Sequence, residues 1–287
     1  MFKALLTSIF LFAFSSMVIA LDLNNLTNAD REVLQKEIRR YILENPDIIF
    51  EAADLVRKRE AAIEILEDEE LLKSNYEEIF YDNYSYVGGN LDGDITLVEF
   101  VDYKCSYCRK AAEIVRELLK EDDNIRFIVK EFPILGEASL TTSKFAIAVK
   151  NIGGSEKYKL AHEILLTLTA EPNEIYLRRI ATELKLGPNE ILNEMKSDAV
   201  LKEISRTAEL AQKLQISGTP TFILGGQFLR GFVPLEMLLQ VAQSERKNEE
   251  TTVSFFTPYF LYKIVDHFSS LQGVLINKKM PPWHFYP

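Results

Sequence analysis

The chain has 287 residues, 47% of them hydrophobic, and 43 acidic side chains against 33 basic ones, a formal net charge of −10. That balance excludes long-range attraction to nucleic acid or anionic lipid, and no basic patch offsets it. The length suffices for a sizeable core and for more than one module, while the two cysteines, Cys105 and Cys108, are too close in sequence to act as a structural staple.

The first residues read MFKALLTSIFLFAFSSMVIALDLNN. Lys3 precedes an apolar run from Ala4 to Phe14, and Val18-Ile19-Ala20 places small residues before the next bond. This layout predicts a signal peptide over 1–20, cleaved after Ala20, and hence export to the periplasm. The competing reading, an uncleaved anchor, is disfavoured because the run is short for a span of about 20 residues. Export changes what cysteines mean: outside a reducing cytosol they are kept as bridges or as working redox groups.

From Leu26 to about Asn75 the sequence is charged, helical and free of glycine. Thr27 is the expected N-cap of a first helix, with Asp30 and Glu32 in its first turn. Asn45-Pro46 divides that helix from a second one carrying Ile49, Ala52, Ala53, Val56, Ile63 and Leu66 at helical spacing. These amphipathic helices, assigned with the residues around them to a segment 21–82, need a surface to cover their stripes: the main domain or a second copy of the chain.

NYSYVGGNLDGD, Asn83 to Asp94, reads as a turn-rich boundary. ITLVEFVDY then predicts a buried strand, CRKAAEIVRELLKED a helix and NIRFIVKEFPI a second strand, together a βαβ unit with parallel strands. A block of helices fills about 138–214, after which SGTP introduces the strand TFILGG, a short QFLRGF and a closing helix from Pro234. The fold class is therefore α/β, with a principal domain over 83–247 interrupted by a helical insertion. The remaining segment, 248–287, contains SFFTPYFLYKIVDHF and is assigned no function.

The chemistry concentrates in CSYC. Cys105 falls between a strand and the first turn of a helix, where unpaired N–H groups and the helix dipole favour thiolate over thiol. Cys108, three positions on, shares its helical face. The first sulfur is suited to attack a disulfide and the second to resolve the mixed disulfide. Zinc is a poor fit, since it takes about four ligands and only His162, His267 and His284 accompany the cysteines; no metal cofactor is expected. Paired thiolates also suit Cu(I), which keeps a binding protein, either a copper-handling thiol protein or a holdase, as a rival reading.

Thr219-Pro220 precedes a strand, an awkward place for proline, and a cis bond there would turn the Thr219 backbone toward the sulfurs. Glu99, in an apolar strand, shares a face with Leu97 and Val101. A carboxylate so placed is expected to be partly buried, raised in pKa and able to exchange a proton with Cys108. Lys130, in the parallel strand, is its expected partner.

These residues resemble the DsbA family of thioredoxin-fold disulfide oxidoreductases. GDITLVEFVDYKCSYC, KEFPILGEAS and LAQKLQISGTPTFILGG carry the resemblance, over roughly Gly89 to Lys247. It implies a thioredoxin fold with an inserted helical domain, with Cys105 as nucleophile and Cys108 as the resolving thiol of a redox disulfide. Thr219 and Pro220 would form a cis-proline loop, Tyr107 would join them in substrate binding, and Glu99 and Lys130 would be a buried charged pair. REVLQKEIRRYILENPDIIFEAADLVRKRE is similar to the oligomerisation arm of ScsC-type members, linked to copper tolerance, and implies a homo-oligomer formed through residues 26–75. Tyr107 stands where strongly oxidising members have histidine, and threonine before the proline resembles isomerases, so isomerase or reductase work is expected ahead of oxidation. The implied partners are cysteine-containing exported proteins and a membrane redox partner.

Overall fold

The computed structural model describes residues 26–168 and 171–255, with side chains as far as Lys247. The signal peptide expected over 1–20 lies outside the described residues, as does most of the segment 248–287. The chain divides into two compact units, one ending at Ile63 and the other beginning at Glu64.

In the first unit, α1 (Asn28–Glu44) starts at a capping box. Thr27 accepts the Asp30 N–H and the Asp30 carboxylate accepts the Thr27 N–H, so two otherwise orphaned donors are satisfied. Asn45 ends the helix by donating both its backbone and its side-chain N–H to the Tyr41 carbonyl, each at 2.9 Å. The next helix, α2 (Asp47–Ser74), contributes to this unit as far as Ile63. No residue of α1 is buried, and Val33, Ile38, Tyr41 and Leu43 are exposed.

The second unit begins inside α2, earlier than the domain start at residue 83 read from sequence. The reason is packing: Leu72 of α2, with Ile79 and Phe80 of α3 (Tyr76–Phe80), joins Val98, Phe100 and Ile128 in one apolar cluster. Five strands form the sheet: β1 (Tyr86–Gly89), β2 (Ile95–Val101), β3 (Ile125–Glu131), β4 (Thr221–Leu224) and β5 (Gln227–Arg230), in the order β1-β3-β2-β4-β5. Only β2 and β3 are parallel; every other pairing is antiparallel. Between them runs α4 (Ser106–Glu121), completing the βαβ unit.

Strand β1 falls where the sequence suggests only turns. Its glycines answer to crowding more than to bending: a Cβ on Gly89, at φ +66°, would sit 2.5 Å from the Ile125 carbonyl oxygen of β3.

Four helices fill the segment between β3 and β4: α5 (Glu137–Thr167), α6 (Glu174–Glu183), α7 (Pro188–Glu194) and α8 (Asp198–Lys213). A break at Gly154, φ +77°, divides α5. The last of the described helices, α9 (Leu235–Phe255), follows β5.

Alternation along the strands sorts the core into two layers. Leu97, Val101, Phe127, Val129 and Phe222 pack with residues of α4, α5 and α9. Val98, Phe100, Ile128 and Ile223 pack instead with Leu210, Ala211 and Leu214 at the end of α8. Each such side chain stabilises the fold by about 1.5–3 kcal/mol on burial. The parity of a strand residue therefore decides which layer it serves.

Candidate active site

The turn after β2 is built by a buried aspartate. Asp102 accepts the Lys104 N–H through Oδ1 at 2.8 Å, and the Ile134 and Leu135 N–H groups through Oδ2 at 2.8 and 3.0 Å. Its own carbonyl accepts the Cys105 N–H at 3.0 Å. These bonds tie the loop after β3 to the start of α4 and set Cys105 as the N-cap of that helix, in extended conformation with φ −71° and ψ 119°.

Cys105 and Cys108 are both unbridged thiols. The Cys105 thiol donates to the Thr219 carbonyl at 3.1 Å, and the Thr219-Pro220 bond is cis. Tyr107, between the cysteines, is 56% exposed, with the Lys110 ammonium 5.4 Å from its ring centroid. Cys108 faces inward and is fully buried. Burial, then the charge of Glu99, push the Cys108 thiol far above the ordinary range. The first sulfur is thus presented beside an extended backbone, and the second is held beneath it as a protonated thiol.

Glu99 lies under Cys108, on the face shared with Leu97 and Val101. Burial, then the neighbouring Glu131 carboxylate, push it up to about 8. Lys130 is not its partner. The parallel register pairs Glu99 with Val129 and Lys130 with Phe100, so the lysine belongs to the opposite layer. There its ammonium reaches Asp82 at 2.5 Å and the Glu78 carbonyl at 2.9 Å, 5.5 Å from the Tyr84 ring centroid. Pairing two charged residues on adjacent parallel strands fails here by one residue of register, which in a sheet exchanges the faces.

The companion of Glu99 is Glu131, which the sequence does not single out. Strand parity is the available signal, since Glu131 stands two positions beyond the residue opposite Glu99. Asp102 is a second addition, although an aspartate between a strand and CxxC invites a turn assignment. For Tyr103, Tyr158 and His162, which gather around Glu131 from α5 and the turn, no local signal exists. Among the described residues no group of three or more His, Cys, Asp or Glu side chains could hold a metal ion.

A family model described as thioredoxin matches residues 82–241. Among solved structures, a thioredoxin-like oxidoreductase from Silicibacter pomeroyi is 36% identical; the match covers 60% of this chain and 97% of that one, with a TM-score of 0.56. A ScsC variant from Proteus mirabilis with a linker deletion is 22% identical, covering 78% of this chain and 98% of that one at a TM-score of 0.57, and shares the fold. A curated relative, the Na(+)/H(+) antiporter NhaA 1 of Salinispora arenicola, is 28% identical over 153 residues, 53% of this chain. The chain spans only 23% of that antiporter's length.

Proposed function

The chain belongs to the thioredoxin family, and from that premise we propose that it is an exported, periplasmic thiol:disulfide oxidoreductase acting on cysteines of other exported proteins. The observation that carries this reading is the placement of Cys105. Its sulfur sits at the N-terminus of α4, 3.1 Å from the Thr219 carbonyl, with a buried second thiol three residues on. A peptide laid along the Thr219 backbone would bring its own disulfide to that sulfur.

Each step balances. Cys105, as thiolate, attacks one sulfur of the substrate disulfide; the Cys105–substrate bond forms, the substrate S–S bond breaks, and the departing sulfur leaves as a thiolate. Cys108 then loses its proton to Glu99 and attacks the Cys105 sulfur. The Cys105–Cys108 disulfide forms, the mixed disulfide breaks, and the substrate has gained two electrons from the dithiol. If the substrate's own second thiol attacks first, Cys105 is released unchanged and the net result is isomerisation. The redox group is the cysteine pair itself, without a metal.

Isomerase or reductase work is favoured over oxidation. The residue between the cysteines nearest Cys108 is Tyr107, and the residue before the proline is Thr219. In addition, α1 and α2 expose apolar side chains suited to a homo-oligomer, in which several Cys105 sites would face a shared space. A membrane protein would maintain the redox state of the pair.

The test uses the full chain and a scrambled multi-disulfide substrate. Reduced protein should restore the substrate's activity. Cys105→Ser should abolish recovery, and Cys108→Ser should accumulate a Cys105–substrate mixed disulfide visible on non-reducing gels. Absence of any mixed disulfide, with Cu(I) bound tightly by the pair, would favour the copper-handling alternative.

A further inference from the structure

The layer that holds the dithiol contains a second carboxylate that the exchange steps above do not use. Glu131 ends β3 on the Glu99 side of the sheet and is only 2% exposed. Its Oε1 accepts the hydroxyls of Tyr103 at 2.7 Å and Tyr158 at 2.5 Å. Its Oε2 is buried and makes no well-formed hydrogen bond, although the Ser143 hydroxyl of α5 also faces this carboxylate. An apolar side chain would fill that space without the cost of a half-satisfied buried carboxylate, so the acid calls for a role beyond packing.

The surrounding hydrogen bonds say which form is held. Each tyrosine has one O–H proton, and both are directed at Oε1. The Tyr103 oxygen also lies 2.9 Å from Nδ1 of His162, so with that proton committed the histidine carries hydrogen on Nδ1 and donates it to Tyr103. Two donors on one carboxylate oxygen favour its ionised form, whereas Glu99 has none of these donors. Burial raises Glu131 as well, but the Tyr103 and Tyr158 hydroxyls oppose that rise, whereas nothing comparable opposes it at Glu99. Of the two acids, Glu131 is the better place for the negative charge.

Glu99 and His162 also line the same cavity, of about 590 Å³, between α4 and α5. Val115, Phe127 and Leu166 contribute apolar walls, while Arg116, Lys159 and Glu163 supply charge. Glu99 is also faced by Cys108 from the start of α4, and Glu131 by Ser143 of α5 and Glu203 of α8. Burial holds His162 down at about 4, and so neutral through the working range.

We propose that Glu131 is a positioning residue for the resolving step: fixed as an anion by Tyr103 and Tyr158, it makes Glu99 the stronger base for the Cys108 proton, and the cavity beside His162 connects Glu99 to solvent. This inference rests on the exchange reading and concerns its second step. There the S–H bond of Cys108 breaks and its proton goes to Glu99, while the sulfur's electron pair forms the Cys105–Cys108 bond and the substrate sulfur leaves as thiolate. The proton on Glu99 afterwards returns to solvent through the cavity.

Stopped-flow release of thionitrobenzoate from an aromatic disulfide reagent separates the two steps. The first equivalent reports attack by Cys105 and the second reports resolution by Cys108. In the wild-type full chain, the second phase should rise with pH through the ionisation of Glu99. In Glu131→Gln the midpoint should move to lower pH by about one unit, as expected for losing a coupled neighbour, and the plateau should fall about threefold because the base is weaker. Glu131→Asp should restore part of both. A folded Glu131→Gln whose midpoint does not move overturns the inference. If that variant fails to fold, Tyr158→Phe decides: its midpoint should move in the same direction by less, and an unmoved midpoint overturns the inference. Absence of a second phase in the wild type would overturn the exchange reading itself.

Discussion

Asp102 and Ile134 are joined by a 2.8 Å hydrogen bond that closes the turn before α4 onto the loop after β3. The same carboxylate accepts two further backbone N–H groups, from Lys104 and Leu135, and is fully buried. Hydrogen bonds to a charged acceptor contribute about 1.5–3 kcal/mol each, but three that share one carboxylate do not add. Asp102→Ala should therefore cost about 3–5 kcal/mol in urea unfolding. Because the Asp102 turn also holds the Cys105 N–H at the start of α4, the surviving folded fraction should react more slowly at Cys105. Asp102→Asn, which keeps an acceptor oxygen, should recover part of the loss. Equal stability of wild type and Asp102→Ala would show that the turn is held by other contacts.

Glu99 links stability to pH with a definite sign. Its folded value, about 8, is above the ordinary carboxylate value of 4.5. The group's contribution is thus fully present below about pH 4.5 and is lost as pH rises through 8. Glu99→Gln stays neutral and escapes that loss. Relative to wild type, it should gain on the order of 2–4 kcal/mol between pH 5 and pH 9, since each pH unit separating the folded and unfolded values corresponds to about 1.36 kcal/mol. Unfolding curves at the two pH values measure the difference directly; parallel stability profiles would contradict the burial argument. The same variant should lose most of the resolving step, separating stability from chemistry.

Lys130 belongs to a different account. It is fully buried beside Asp82, itself largely buried, in the layer packed on α3 and α8. Removing one member of a buried ion pair typically costs about 3–5 kcal/mol, because the other charge is left without compensation. Lys130→Met should destabilise the fold by about that amount. Measured where the protein remains folded, its exchange rate should stay within about twofold of wild type, and the pH profile should keep its midpoint. A shifted midpoint would mean that Lys130 reaches Glu99 electrostatically through the sheet.

The contrast between Glu99 and Lys130 shows where sequence reading holds. The order of elements from β2 onward, the helical insertion, the Thr27 cap and the CxxC junction are local, each written in a few consecutive residues. The Thr219-Pro220 element is legible because SGTP stands directly before an apolar strand. Partnerships across strands are another matter: parallel register depends on how α4 packs, and a shift of one residue moves a side chain to the other layer. Tyr158 reaches Glu131, and His162 reaches Tyr103, from a helix that begins six residues after β3 ends, and only the tertiary arrangement brings them there. The end of the 21–82 segment is hidden for a similar reason, since Ile79 and Phe80 look amphipathic alone and are core only when the sheet is present.

The first unit supports the last prediction. On α1, Ile38 and Tyr41 are three residues apart and therefore neighbours on the helix surface, and both are at least half exposed. Isolated exposed apolar residues are ordinary, but Val33, Ile38, Tyr41 and Leu43 on one helix, followed by Ile49, Phe50, Leu55 and Val56 on the next, are a concentration that soluble monomers rarely leave open. Covering them by self-association accounts for a helix with no buried residue of its own. Sedimentation of the full chain at micromolar concentration should give a homo-oligomer, and Ile38→Asp with Tyr41→Asp should shift it to monomer while leaving Cys105 reactivity toward a small disulfide unchanged. Isomerisation of a scrambled protein should fall at least several-fold in that variant, since it would lose the space shared between sites. A wild-type chain that sediments as a monomer across the concentration range would remove the oligomer, and would leave only Tyr107 and Thr219 to favour isomerisation over simple oxidation.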